Sequence, residues 1–208
     1  MKHKNIYSYC LTYFLVVFFG LVTMHYAVSA EQPDKTKTEP GQDEMMQKYK
    51  EYSTPNENHK LLDAFVGDWD YTVKWWMAPG TEPEVSTGTT SIKWIMGGRF
   101  LKEKAVGTSM GQPFEGMGIM GYDNEKKKYE SVWIDNMGTG MAKDSGTYDP
   151  AAKTINEEGT FSCPMEGDKT YRSVTKIPAN DSFTYEWYMN DKDGKEYRAM
   201  EITYTRKK

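Results

Sequence analysis

From residue 67 onward, large apolar side chains recur at every second position. The first such run sets the pattern: Trp69, Tyr71, Val73 and Trp75 alternate with Asp70, Thr72 and Lys74, the period of a strand with one buried face. The same reading predicts strands over 68–77, 85–95, 99–106, 114–122, 129–137, 140–148, 153–162, 169–177, 183–190 and 195–206. Between them lie Ala78-Pro79-Gly80, Gly97-Gly98, Gly111-Gln112-Pro113, Asp123-Asn124, Asp149-Pro150, Glu166-Gly167-Asp168, Pro178 to Asp181 and Asp191 to Gly194. These are residue types that reverse a chain. About ten strands with no helix between them predict an all-β fold, an antiparallel up-and-down β-barrel. Closure is favoured over a sandwich because it removes both sheet edges.

Ahead of the strands the period changes. Residues 42–52 place Met45, Met46 and Tyr49 on one side of a short helix. His59 to Phe65 predicts a second helical turn with Leu61, Leu62 and Phe65 facing inward. Residues 31–41 carry no apolar side chain large enough to anchor a core and read as a tether. Met1 to Lys4 is a basic n-region, Ile6 to Val28 is mostly apolar, and Val28-Ser29-Ala30 has the small residues of a signal-peptidase site. The organisation expected is a signal peptide over 1–30, a flexible linker with a short helix over 31–55, and a barrel over 56–208. The protein is then exported, periplasmic or extracellular, with an uncleaved membrane anchor as the alternative.

Cleavage after Ala30 removes Lys2, Lys4 and Cys10 and leaves 24 basic against 30 acidic side chains, a net charge of −6. That balance argues against a nucleic-acid partner. It also leaves Cys163 without a second cysteine, so the core holds the fold without a disulfide.

The succession His59-Lys60-Leu61-Leu62, Gly67-Asp68-Trp69, Gly97-Gly98-Arg99-Phe100-Leu101, Phe114-Glu115-Gly116, Gly121-Tyr122-Asp123-Asn124, Trp133 to Gly138 and Ile202 to Arg206 resembles the bacterial domain-of-unknown-function family 1579, over about residues 56–208. The resemblance implies a relative of the calycins, lipocalin-type barrels that hold a small apolar ligand, and it implies no established activity. The Gly-x-Trp of the opening strand resembles the lipocalin signature, in which a Trp at the barrel floor is covered by a basic residue from a late strand. Trp69 and Arg206 are the structural pair so implied. Cys163-Pro164 stands where an Asp-Pro is expected.

Candidate chemistry is sparse. Arg99 shares parity with Leu101, which places its guanidinium inside and calls for a carboxylate. Asp135, on a face with Tyr129, Trp133 and Met137, is the expected partner, with Glu115 and Glu186 as others. Ten of the fourteen methionines lie between Met77 and Met200. Met96, Met117 and Met137 are expected to line an interior with Trp94, Trp133, Trp187, Phe183 and Tyr185, where Gly116, Gly118 and Gly121 thin one wall. The ligand-binding set expected is thus Arg99, Asp135, Trp133, Met117, Met137, Trp187 and Glu186. No catalytic residue is assigned. His59 is the one histidine after residue 30 and precedes the barrel, which leaves no nucleophile–histidine relay inside it. No metal site and no cofactor are expected: zinc needs more His or Cys ligands than are present, and haem is disfavoured for want of a strand histidine. The function expected is non-catalytic binding of a small apolar ligand. The alternatives are a structural or envelope-associated filled barrel, or an enzyme using Arg99 and Asp135.

Overall fold

Each strand that buries one face exposes two hydrogen-bonding edges, and in this chain the first and last strands cover each other. The computed structural model describes residues 41–208 other than 166 and 180; the expected signal peptide and linker residues 31–40 lie outside the described residues. Ten strands, β1 (Gly67–Trp75), β2 (Glu84–Ile95), β3 (Phe100–Ser109), β4 (Gln112–Asp123), β5 (Lys128–Asp135), β6 (Ala142–Asp149), β7 (Thr154–Cys163), β8 (Gly167–Lys176), β9 (Ser182–Asn190) and β10 (Glu196–Arg206), follow one another around the barrel. Every neighbouring pair is antiparallel, and β10 closes the barrel against β1 with Trp69 opposite Arg206 and Tyr71 opposite Tyr204. All ten strands expected from the alternation are present. Their ends differ where turn chemistry misleads. Pro113 marks a turn by type, yet it sits inside β4 opposite Thr108, and the reversal is made by Met110 and Gly111, both at positive φ.

One end of the barrel is sealed. A short helix α2 (Glu57–Leu61) runs into a 3-10 turn (Leu62–Phe65) that lies across the opening. Leu62 and Trp69 are fully buried, and Phe65, Tyr129, Ile155 and Phe183 pack with them. The Trp69 indole donates to the Phe65 carbonyl at 2.9 Å, and its ring meets Phe183 edge-on. Arg206 lies over the Trp69 ring at 4.0 Å and donates to the carbonyls of Val66 (2.8 Å) and Ala64 (3.1 Å). Gly67 makes that approach possible: its φ is +144°, and a Cβ there would stand 2.3 Å from the guanidinium.

The segment before the floor is pinned from outside. Helix α1 (Gln42–Ser53) buries none of its residues, and Met45, Met46 and Tyr49 are exposed. Its end is held by Asn124, whose amide donates to the carbonyls of Glu51, Tyr52 and Thr54 and accepts from the Asn56 side chain. Asn56 in turn forms a capping box with His59, which is buried against Tyr122. His59 is therefore a floor residue, shut off from the barrel interior.

Candidate functional site

The pleat decides which side chains face inside, and the strand register carries that choice around the wall. Leu101 opposes Met120, Glu103 opposes Gly118, Ser131 opposes Met120 and Asp144, and Glu157 opposes Gly146 and Ser173. These inward faces enclose a cavity of about 1550 Å³ that opens at the end opposite the floor. Its upper wall is aromatic, with Trp75, Trp133, Phe161, Tyr171 and Trp187, and Met110, Met137 and Met141 stand at the rim. Tyr171 and Trp187 meet edge to face at 4.1 Å, and Phe161 and Trp75 lie 5.1 and 5.7 Å from Trp187.

One register layer above the floor the wall turns acidic. Glu103, Asp144 and Glu157 line the cavity. Each stands one inward position beyond a floor residue or the neighbour of one: Leu101 on β3, Tyr129 through Ser131 on β5, and Ile155 on β7. Thr90 donates to Glu103 at 2.9 Å, and the Tyr171 hydroxyl donates to Asp144. Gly159 permits that second contact, because a Cβ there would fall 2.3 Å from both the Asp144 oxygen and the Tyr171 ring. Glu157 is 3% exposed and one of its carboxylate oxygens has no partner. Burial pushes the Glu157 carboxyl up to about 8, with the neighbouring Asp144 charge adding to it. Burial likewise raises Asp144 to about 6 against the opposing Ser131 hydroxyl, and Glu103 to about 6 against that of Thr90. Tyr185 and Tyr204 are held well above the usual phenol range, first by burial and then by these acids.

Of the seven residues expected to bind the ligand, four reach the cavity, and Phe183 and Tyr185 of the expected interior line it as well. Trp133 and Trp187 form its wall, Asp135 lies near the mouth, and Met137 stands at the rim. Asp135 accepts from the Trp133 indole at 2.9 Å and from the Met137 amide at 2.9 Å. Its expected pairing with Arg99 is overturned. Arg99 is exposed in the β2–β3 turn and donates to the carbonyls of Met96 and Ser53, because β3 begins one residue later and the Gly97-Gly98 turn breaks the parity that Leu101 suggested. Met117 faces out, opposite Lys104 and Ile134. Met96 is 70% exposed in the same turn as Arg99. Glu186 is on the outer face, opposite Val174 and Glu201, and binds Tyr188 and Arg198 there. Trp94 belongs to the floor and donates to Asp63 at 2.7 Å. The glycines of β4 do not thin the wall. Gly116 and Gly118 carry the Trp133 ring flat on the backbone, where a Cβ at Gly116 would meet it at 2.3 Å, and Gly121 lies on the outer face under Phe100.

The acids were hidden by their type. Glu103 has the parity of Leu101 and Ala105, and Glu157 that of Ile155, so the inward register was available in the alternation. An acid at such a position reads as an irregularity until the cavity behind it is seen.

The model of a family described as "Protein of unknown function (DUF1579)" matches residues 54–206. The crystal structure of Rv2717c from M. tuberculosis is similar, with a TM-score of 0.56 and 14% identity over 74% of this chain and 100% of that one, a likeness of fold. A redesigned β-barrel aligns at a TM-score of 0.39 and 18% identity over 75% of this chain and 100% of that one, too distant in shape to bear on the site. Among curated proteins, none matches the chain significantly.

Proposed function

Since the chain belongs to the DUF1579 family, whose description assigns no activity, its function is read from the barrel, and we propose reversible, non-catalytic binding of a small, mostly apolar molecule in the interior. The observation that carries this reading is the cavity itself. A sealed floor, an open mouth and an aromatic upper wall surround about 1550 Å³, more than the roughly 300–1,000 Å³ of most small-molecule sites. A barrel that served only as a scaffold would gain stability by filling that space with side chains. The adaptable methionines at the rim suit the entry of varied apolar guests. The basic, apolar and small-residue succession over 1–30 supports export of the protein before it meets its guest.

The test is titration of the purified protein with fatty acids, isoprenoids and retinoid-like dyes. Trp75, Trp133 and Trp187 report on the wall, and the melting temperature should rise with ligand concentration. Val73→Trp, which places an indole in the cavity, should abolish the response. Stabilisation that persists in Val73→Trp would mean adsorption outside the barrel, and no response to any probe would favour a structural role.

A further inference from the structure

The layer of acids inside the barrel is Glu103, Asp144 and Glu157. Among the described residues no lysine or arginine forms an ion pair with Asp144 or Glu157. The two carboxyls are diagonal neighbours on one face, since Asp144 opposes Gly159 and Glu157 opposes Gly146, which sets their backbones about 7–8 Å apart. Asp144 has the Tyr171 hydroxyl as a donor. Glu157 is more than nine-tenths buried, lines the cavity, and holds one oxygen with no donor. The rings of Phe161, Tyr171 and Trp187 contact one another and line the same cavity.

We propose that the guest carries a protonated amine at its inner end, its N–H groups directed at Glu157 and Asp144 and its apolar body among the aromatic side chains above. This rests on the reading of the barrel as a binding protein and names the ligand class: lipophilic primary or secondary amines. An ammonium donates to carboxylates through short charge-assisted bonds and is attracted to aromatic faces, and this wall offers both. A fatty acid would bring a third carboxylate beside two. A quaternary ammonium has no N–H for the unpartnered oxygen. A divalent metal would need more donors, and the described residues hold no group of three or more His, Cys, Asp or Glu able to take one. The Trp187 indole N–H is also buried without a partner, so an amine bearing a hydroxyl or ether oxygen fits the site further.

An ammonium guest favours the ionised acids, so binding expels protons that the empty site holds. Affinity then climbs as pH rises from about 6 to about 8, the range in which Asp144 and Glu157 titrate. The groups facing them are Tyr171 on β8 and Tyr185 on β9, with Lys169 opposite Phe161 nearer the mouth.

The experiment is calorimetric titration of the full protein with octylamine, octanol, octanoate and trimethyloctylammonium, at pH 6 and pH 8 in buffers of different ionisation enthalpy. Octylamine should bind about tenfold or more tighter than octanol, a difference of about 1.4 kcal/mol, and should release protons. Glu157→Gln, close in shape to the protonated acid, should remove that advantage and the proton release; Asp144→Asn, checked for folding by circular dichroism, should act the same way. Octanol or octanoate binding as tightly as octylamine would overturn the amine assignment and leave the binding barrel standing. So would octylamine affinity indifferent to both variants. Failure of all four probes to bind would overturn both readings.

Discussion

Removing Arg206 tests the floor most directly, because one side chain ties the last strand to the first strand and to the turn before it. Arg206→Ala deletes two hydrogen bonds from a charged donor, to Val66 and Ala64, and the stacking over Trp69. Hydrogen bonds of this kind contribute about 1.5–3 kcal/mol each. With the side chain 30% exposed, water replaces part of them, which leaves roughly 2–3 kcal/mol, including a cation–π share of about 0.5–2. Trp69→Ala should cost about 3–5 kcal/mol, as full removal of a buried indole does. Trp69 also holds the Phe65 carbonyl, so both residues restrain the same stretch and their losses should overlap. The double variant should therefore be about 1–2 kcal/mol less destabilised than the sum of the singles. Gly67→Ala should mimic Arg206→Ala by pushing the guanidinium aside. Urea melts with unchanged m-value provide the readout. Additivity within about 0.5 kcal/mol, or an Arg206→Ala variant as stable as the parent, would refute the idea that these residues act as one clamp.

Other outcomes follow from the same geometry. Glu157, Asp144 and Glu103 are raised in the folded protein, so their stabilising contribution is complete below the unfolded carboxylate range and is lost as pH rises through about 6 to about 8; Glu157→Gln should flatten the pH 6–8 part of the stability curve, measured by thermal melts without ligand. Gly116→Ala should cost about 1–3 kcal/mol by displacing Trp133, whereas Gly140→Ala, whose nearest neighbour lies 3.9 Å away, should stay within about 0.5 kcal/mol in the same melts. Asn124→Ala should free the end of α1, seen as faster amide exchange over residues 51–56, since three carbonyls lose one donor group. Arg99→Ala should change barrel stability by less than about 1 kcal/mol in urea, as befits an exposed side chain bonded to the carbonyls of Met96 in the turn and Ser53 at the end of α1.

The wall of the barrel could be read from the chain because burial of one strand face is a local property: Trp69, Tyr71 and Val73 announce it within five residues. The site was legible along β5 and just beyond it, and at one aromatic of β9, where the alternation puts Trp133, Asp135, Met137 and Trp187 at the cavity. Parity with Leu101 puts Arg99 inside, but the two are joined across the end of a glycine turn, where alternation ceases to hold. Met117, expected on an inward face, and Glu186, expected as an alternative partner for Arg99, are both put outside by the register, opposite Lys104 and Val174. Asp144 and Glu157 come together through β6 pairing with β7, and their close approach depends on glycines at 146 and 159, where a Cβ would strike the Asn156 carbonyl and the Asp144 carboxylate. Such a grouping exists only after the register is known.

The clamp at Arg206 and the Asn124 latch sit at the same end of the molecule, and that gives it a base and a top. The chain enters the barrel through the segment held by Asn124 and leaves through Lys207 and Lys208, both beside the closed floor. A surface linker or affinity handle joined after Lys208 therefore hangs from the base. Copies immobilised that way on a chip or bead present their openings outward, free of the support, so that the cavity mouth stays accessible to whatever solute is passed over them.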